Sequence, residues 1–111
     1  MAARIVFALY RPHAEKDAAL RRLIARHTPA LRRLELITDR AAVLARAGDG
    51  TYVEVFEWVS ETAARAAHDH PDIAEIWDGM EAIADFTTLA SLAEAQRAFT
   101  HFEPVELSPD Q

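Results

Sequence analysis

Glu54 stands in the run Thr51 to Val59 (TYVEVFEWV), two residues from Tyr52 and Phe56 and four from Trp58. Side chains two apart on a strand share a face, so a strand here sets the carboxylate among aromatic rings when that face is buried. Burial makes a carboxylate a better proton acceptor, which suits a general base acting on a phenol or another weak carbon acid. The competing reading is a rim carboxylate paired with an arginine of a neighbouring strand, such as Arg4, Arg11 or Arg46. Glu57 has the opposite parity, so the two carboxylates do not form an acid/base pair.

Five further residues carry the same double reading. His68 lies in the interruption His68-Asp69-His70-Pro71 and stands close in sequence to Trp77. Histidine titrates near neutrality, so His68 is either a proton shuttle in a pocket between helix and sheet or a helix-end residue bonded to free carbonyls. His27 falls on an apolar helical stripe, where it is either a hydrogen-bonded core histidine or a neighbour of that same pocket. Tyr52, Trp58 and Trp77 either wall a cavity for a flat ligand or are simply core. A metal site assembled from His68, His70, Asp69, Asp72 and His101 has no supporting spacing, because residues two apart on a helix do not face each other and no His-Glu-x-x-His pattern occurs. The expectation is no metal and no bound cofactor.

These residues need elements to hold them. Arg4 to Arg11 (RIVFALYR) is too short for a buried helix and reads as a strand apolar on both faces. Leu20, Leu23, Ile24 and His27 follow helical spacing between His13 and His27; Pro29 should end or kink that helix near His27, with Ala30 to Leu34 as an alternative further turn. Leu34 to Ala47 reads as an irregular strand. Gly48-Asp49-Gly50 is the hairpin signal before the strand Thr51 to Val59. Ser60 is the expected cap of a second, interrupted helix that restarts at Pro71 and carries the stripe Ile73, Ile76, Trp77, Met80 and Ile83. Asp85 to Ala90 reads as a fourth strand. Ser91-Leu92-Ala93-Glu94 matches a capping box for a short helix to about Arg97. The apolar tail from Phe99 to Val105 is expected to dock.

Strand, helix, strand, strand, helix, strand is the order of a ferredoxin-like α+β domain, with a four-stranded antiparallel sheet and two helices on one face. The first and third strands are apolar on both faces, so their outer face needs a cover. A second copy of the sheet is the economical one, giving a sheet-on-sheet homodimer with the tail reaching towards the partner.

The segment Tyr52 to Trp77 (YVEVFEWVSETAARAAHDHPDIAEIW) resembles the end of the third strand and the opening of the second helix in antibiotic-biosynthesis-monooxygenase-like proteins of the dimeric α+β barrel superfamily. The shared features are an acidic and aromatic strand end, a Ser or Asp cap, and a helix carrying His shortly before Pro. The order of elements extends the likeness over residues 3 to 92. The resemblance implies a dimeric barrel and a choice among cofactor-free oxygenases on polycyclic phenols, haem-degrading enzymes and muconolactone-isomerase-like enzymes. The haem-degrading members use an Asn, Trp and His set, and this chain has no asparagine.

Composition narrows the classes. The 111 residues, half of them apolar, suffice for one core. No cysteine is present, so disulfides, Cys-zinc sites and thiol nucleophiles are excluded, and the expected location is the cytoplasm. The run Ile5 to Tyr10 is far short of the roughly 18 residues of a membrane span, and neither a signal peptide nor a membrane partner is expected. Residues 1–50 carry ten basic and five acidic side chains, whereas residues 51–111 carry two and thirteen. Although Arg21, Arg22, Arg26, Arg32 and Arg33 cluster, the acidic second half would cancel their field, so no nucleic-acid partner is expected. Three glycines leave no phosphate-cradling loop. The expected function is small-molecule binding in a homodimer: a cofactor-independent monooxygenase-like or isomerase-like activity on a small planar organic substrate, with Glu54 and His68 catalytic and His27, Tyr52, Trp58 and Trp77 around the substrate. Its rival is a non-catalytic ligand-binding or structural dimer.

Overall fold

The computed structural model describes residues 2–107. Its elements are β1 (Arg4–Pro12), α1 (Asp17–Arg33), β2 (Val43–Arg46), β3 (Tyr52–Trp58), α2 (Ala63–Ala67), α3 (Pro71–Ile83), β4 (Ala84–Thr87) and β5 (Glu103–Pro104). The strands form one antiparallel sheet in the order β4-β1-β3-β2-β5. The architecture is α+β, with five strands and three α-helices among the described residues.

Strand parity divides the sheet into two unlike faces. Val6, Ala8 and Tyr10 of β1, with Tyr52, Phe56 and Trp58 of β3, join the main core, to which α1 contributes Leu20, Ile24 and Leu31 and α3 contributes Ile73, Ile76 and Met80. Both long helices therefore lie over one face. Register sets Ala8 opposite Glu54 and Tyr10 opposite Tyr52, so Glu54 also faces the helices. On the other face Leu9 and Val53 pack with Ala47, Leu92 and Phe102. Beyond that small cluster Ile5, Phe7 and Val43 are 49 %, 51 % and 58 % exposed.

Two glycines have particular work. Gly50, at φ +93°, closes the β2–β3 turn, where Thr51 N–H also donates to Asp49 Oδ1 at 2.9 Å. Gly79 lets α3 approach α1, since a Cβ there would stand 3.2 Å from a Leu23 methyl.

Several elements differ from the sequence expectation. The first helix does not end near His27 but runs through Pro29 to Arg33, because Ala30 and Leu31 are buried and hold the last turns against the core. Pro29 has no N–H, so the Ala25 carbonyl loses its ordinary helical donor. The irregular strand shrinks to β2 plus one bridge from Ile37 to Trp58. Ser60 does not cap the second helix; Thr62 occupies that position, and the Ser60 hydroxyl lies 3.2 Å from the Thr62 hydroxyl. The interruption before Pro71 is as expected, and the proline takes the first turn of α3. The fourth strand begins one residue early and ends at Thr87. The short helix after Ser91 is replaced by two 3₁₀ turns, Leu89–Ser91 and Ala93–Gln96. The Glu94 carboxylate accepts from Gly48 N–H at 2.8 Å, tying this segment to the β2–β3 turn. The tail adds the fifth strand: Glu103–Pro104 pairs with β2, and Val105 N–H donates to Leu44 O at 2.9 Å. The expected docking tail thus folds onto its own chain as far as Leu107, and its last four residues, 108–111, lie outside the described residues. Among the described residues no helix is long and apolar enough to cross a membrane.

Candidate functional site

β1, α1, β3 and α3 each send one polar side chain to a common point under α1. Glu54 and His27 are 3 % and 2 % exposed. His27 Nδ1 lies 2.8 Å from Glu54 Oε1, and the Tyr10 hydroxyl donates to the same oxygen at 2.8 Å. On the far side of the imidazole the Trp77 indole N–H donates to His27 Nε2 at 2.9 Å. The Phe56 ring meets the imidazole edge-on, 5.6 Å between centroids. Burial, and then the charge of Glu54 and the hydrogen bond to it, push the Tyr10 phenol well above its ordinary range. It therefore stays protonated and stays a donor.

The second oxygen of Glu54 is different. Oε2 accepts no hydrogen bond within the chain, yet among the described residues the single fully buried side-chain oxygen or nitrogen without a partner is Thr87 Oγ1. Oε2 is thus reachable, and Glu54 lines a cleft of about 590 Å³. The walls come from α1 (Ile24, Ala25, Pro29), β2 (Val43, Leu44), the start of α3 (Asp72, Ile76) and Val105–Leu107. Arg26 and Arg33 stand on the α1 wall, with Asp72, Glu75 and Glu106 facing them on the other sides. The arrangement sets a carboxylate with one oxygen held and the other unpartnered in the wall of a cleft of mixed polar and apolar lining, which is the geometry of a proton acceptor.

The sequence candidates distribute as follows. Glu54, His27 and Trp77 come together, with Glu54 at the cleft and the other two behind it. His68 is exposed at the end of α2, its ring edge-on to Trp77 at 4.7 Å, and it does not line the cleft. Trp58 is core, edge-on to Phe56 with 5.2 Å between ring centroids. Tyr52 lies at the other end of α1, where its hydroxyl donates to Asp17 at 2.7 Å and accepts from Arg21 at 3.3 Å. Burial, and then the Asp17 bond, raise the Tyr52 phenol as well. The arginines proposed as partners of Glu54 pair elsewhere: Arg4 with Glu61, Arg11 with Asp49 and Arg46 with Asp17. Tyr10 is the member of the site that the sequence reading missed. The signal was a lone hydroxyl in an apolar strand of the same parity as its neighbour's carboxylate.

No protein-family model matches the chain, and no curated protein matches it either. Among the described residues no group of three or more His, Asp or Glu is close enough to hold a metal ion.

Proposed function

We propose that the cleft binds a small planar organic molecule and that Glu54 Oε2 removes a proton from it. The observation that carries this reading is the split use of one carboxylate: Oε1 is held by two donors, while Oε2 has no partner among the described residues and Glu54 lines the cleft. The two bonds fix the carboxylate's orientation, which is what a general base requires before its substrate arrives. Proton loss to Glu54 leaves a delocalised substrate anion. In an oxygenase course that anion gives electrons to dioxygen, a carbon–oxygen bond forms, and a ring methylene becomes a ketone with release of water. In an isomerase course Glu54 returns the proton to another carbon. The cofactor-free chemistry of antibiotic-biosynthesis-monooxygenase-like proteins is the nearest pattern for the first course. The strand order β4-β1-β3-β2 supports a ferredoxin-like reading of the domain, with β5 as an addition.

The same reading takes the protein as a homodimer packed sheet on sheet. Phe7, Val55 and Val43 lie directly across β1, β3 and β2 from one another on the face without helices, and Phe7 and Val43 are more than half exposed. A non-catalytic binding dimer is favoured instead by the burial of Glu54, since a doubly hydrogen-bonded carboxylate can serve structure alone.

A thermal-shift screen against flat phenols, quinones and lactones, with oxygen uptake followed for each hit, separates them. A ligand at a hundred times its Kd stabilises by about 2.7 kcal/mol. Turnover that Glu54→Gln abolishes is the expected result. Binding without proton transfer or oxygen uptake would leave the non-catalytic dimer.

A further inference from the structure

The protons around His27 have one consistent arrangement. An indole nitrogen can only donate, so His27 Nε2 accepts from Trp77. Nδ1 then carries the ring proton and gives it to Glu54 Oε1. Tyr10 gives its proton to the same oxygen, and the 3.5 Å between its hydroxyl and Nδ1 is the approach of two donors to one acceptor. A second proton on Nε2 would set two N–H groups against each other. Among the described residues the buried polar and charged ones are His27, Thr51, Glu54 and Ser60, and none of them is a lysine or arginine that could offset the carboxylate.

We infer that Trp77 is a positioning residue whose indole N–H locks His27 as the neutral Nδ1–H tautomer, so that Glu54 keeps an uncompensated negative charge and the cleft takes its ligand as a neutral or cationic hydrogen-bond donor, not as an anion. Were His27 an imidazolium, the pair would be neutral and Oε2 would present a weaker acceptor to the cleft. The rim adds to the selection, with Asp72, Glu75 and Glu106 against Arg26 and Arg33. A carboxylate or phenolate arriving at Glu54, itself 3 % exposed, would meet like charge where repulsion is larger than between two freely hydrated groups. A phenol or enol arrives as a donor and satisfies the open oxygen. The assignment of ligand class rests on the cleft being the binding site; the tautomer does not.

The test is nitrogen NMR of the whole chain carrying ¹⁵N-labelled histidine at neutral pH, with the His27 signals identified by their loss in His27→Gln. The wild type should give a pyrrole-type Nδ1 and a pyridine-type Nε2. In Trp77→Phe, which keeps a ring but removes the donor, the hydrogen-bonded pyridine-type Nε2 signal should be lost. Two pyrrole-type nitrogens in the wild type, a proton on Nε2, or an unchanged pattern in Trp77→Phe would overturn the lock. Should that variant not fold, the wild-type tautomer alone decides. Phenol and benzoate are then titrated against the same signals. Perturbation by phenol at a concentration at least about tenfold lower than benzoate supports the ligand class. Equal or tighter benzoate, or no response to either, overturns it. A correct tautomer in a protein that turns nothing over would remove the catalytic reading and leave the lock standing.

Discussion

Replacing Glu54 by alanine and by glutamine should cost very different amounts. Alanine removes the shared acceptor and strands two buried donors, the Tyr10 hydroxyl and His27 Nδ1–H, each within 2.8 Å of the lost oxygen. A buried donor without a partner costs about 1–3 kcal/mol, so Glu54→Ala should destabilise by about 3 kcal/mol or more. Glutamine keeps one carbonyl oxygen that can accept both bonds and loses only the charge assistance, for about 1 kcal/mol. With an unfolding entropy of about 2.1 cal/mol/K per residue, 1 kcal/mol corresponds to about 4 °C of Tm in a chain of 111 residues. Urea unfolding monitored by tryptophan fluorescence, with a thermal melt beside it, should therefore separate the variants by about 2 kcal/mol. The reasoning fails if Glu54→Ala costs less than about 1 kcal/mol, or if the glutamine variant is as unstable as the alanine one.

Three further outcomes follow from other parts of the molecule. Both tyrosines are raised from 10.0, so their contribution to stability is complete below 10.0 and is lost as pH rises through their folded values. Phenolate absorbance should accordingly appear only above the ordinary tyrosine range, and a normal titration of either tyrosine in the folded chain would contradict this. Glu94 is held below 4.5, first by the Gly48 N–H, so its contribution is present above 4.5 and is lost as pH falls through the lowered value. The Gly48 amide proton shift should turn over below 4.5 on acidification, and a midpoint at or above 4.5 would show that the clamp does not form in solution. Phe7→Glu should convert the proposed dimer to a monomer by light scattering at micromolar concentration, whereas a wild type that is already monomeric would remove the dimer.

The fold was legible where side-chain pattern and backbone chemistry agree. The aromatic and β-branched run around Glu54, the Gly50 turn and the restart at Pro71 each rest on local physics, and each is present. Misreadings arose where tertiary contacts override local signals. Pro29 left open whether the helix ends or takes a further turn, and two buried residues beyond it carry α1 to Arg33. Glu94 completed a capping pattern, but its carboxylate serves a turn 46 residues away. β5 spans two residues and includes a proline, which leaves no periodicity to read. At the site, parity alone set Glu54 on the face with Tyr52, Phe56 and Trp58, and helical spacing set His27 on the buried stripe of α1. That these two meet, with Tyr10 and Trp77 closing the group, depends on how α1 and α3 lie across the sheet. A single sequence carries no signal for that placement.

The central claim is that Glu54 Oε2 accepts a proton from a ligand in the cleft, a step common to the oxygenase and isomerase courses. Deuterium exchange into the acidic methylene of a flat ring ketone, followed in heavy water without oxygen, isolates that step. The account predicts exchange catalysed by the wild type and reduced by about 10²–10⁴-fold in Glu54→Gln, the span a positioned general base supplies. Exchange that proceeds equally with the folded glutamine variant, or no exchange with a ketone that demonstrably binds, would contradict it.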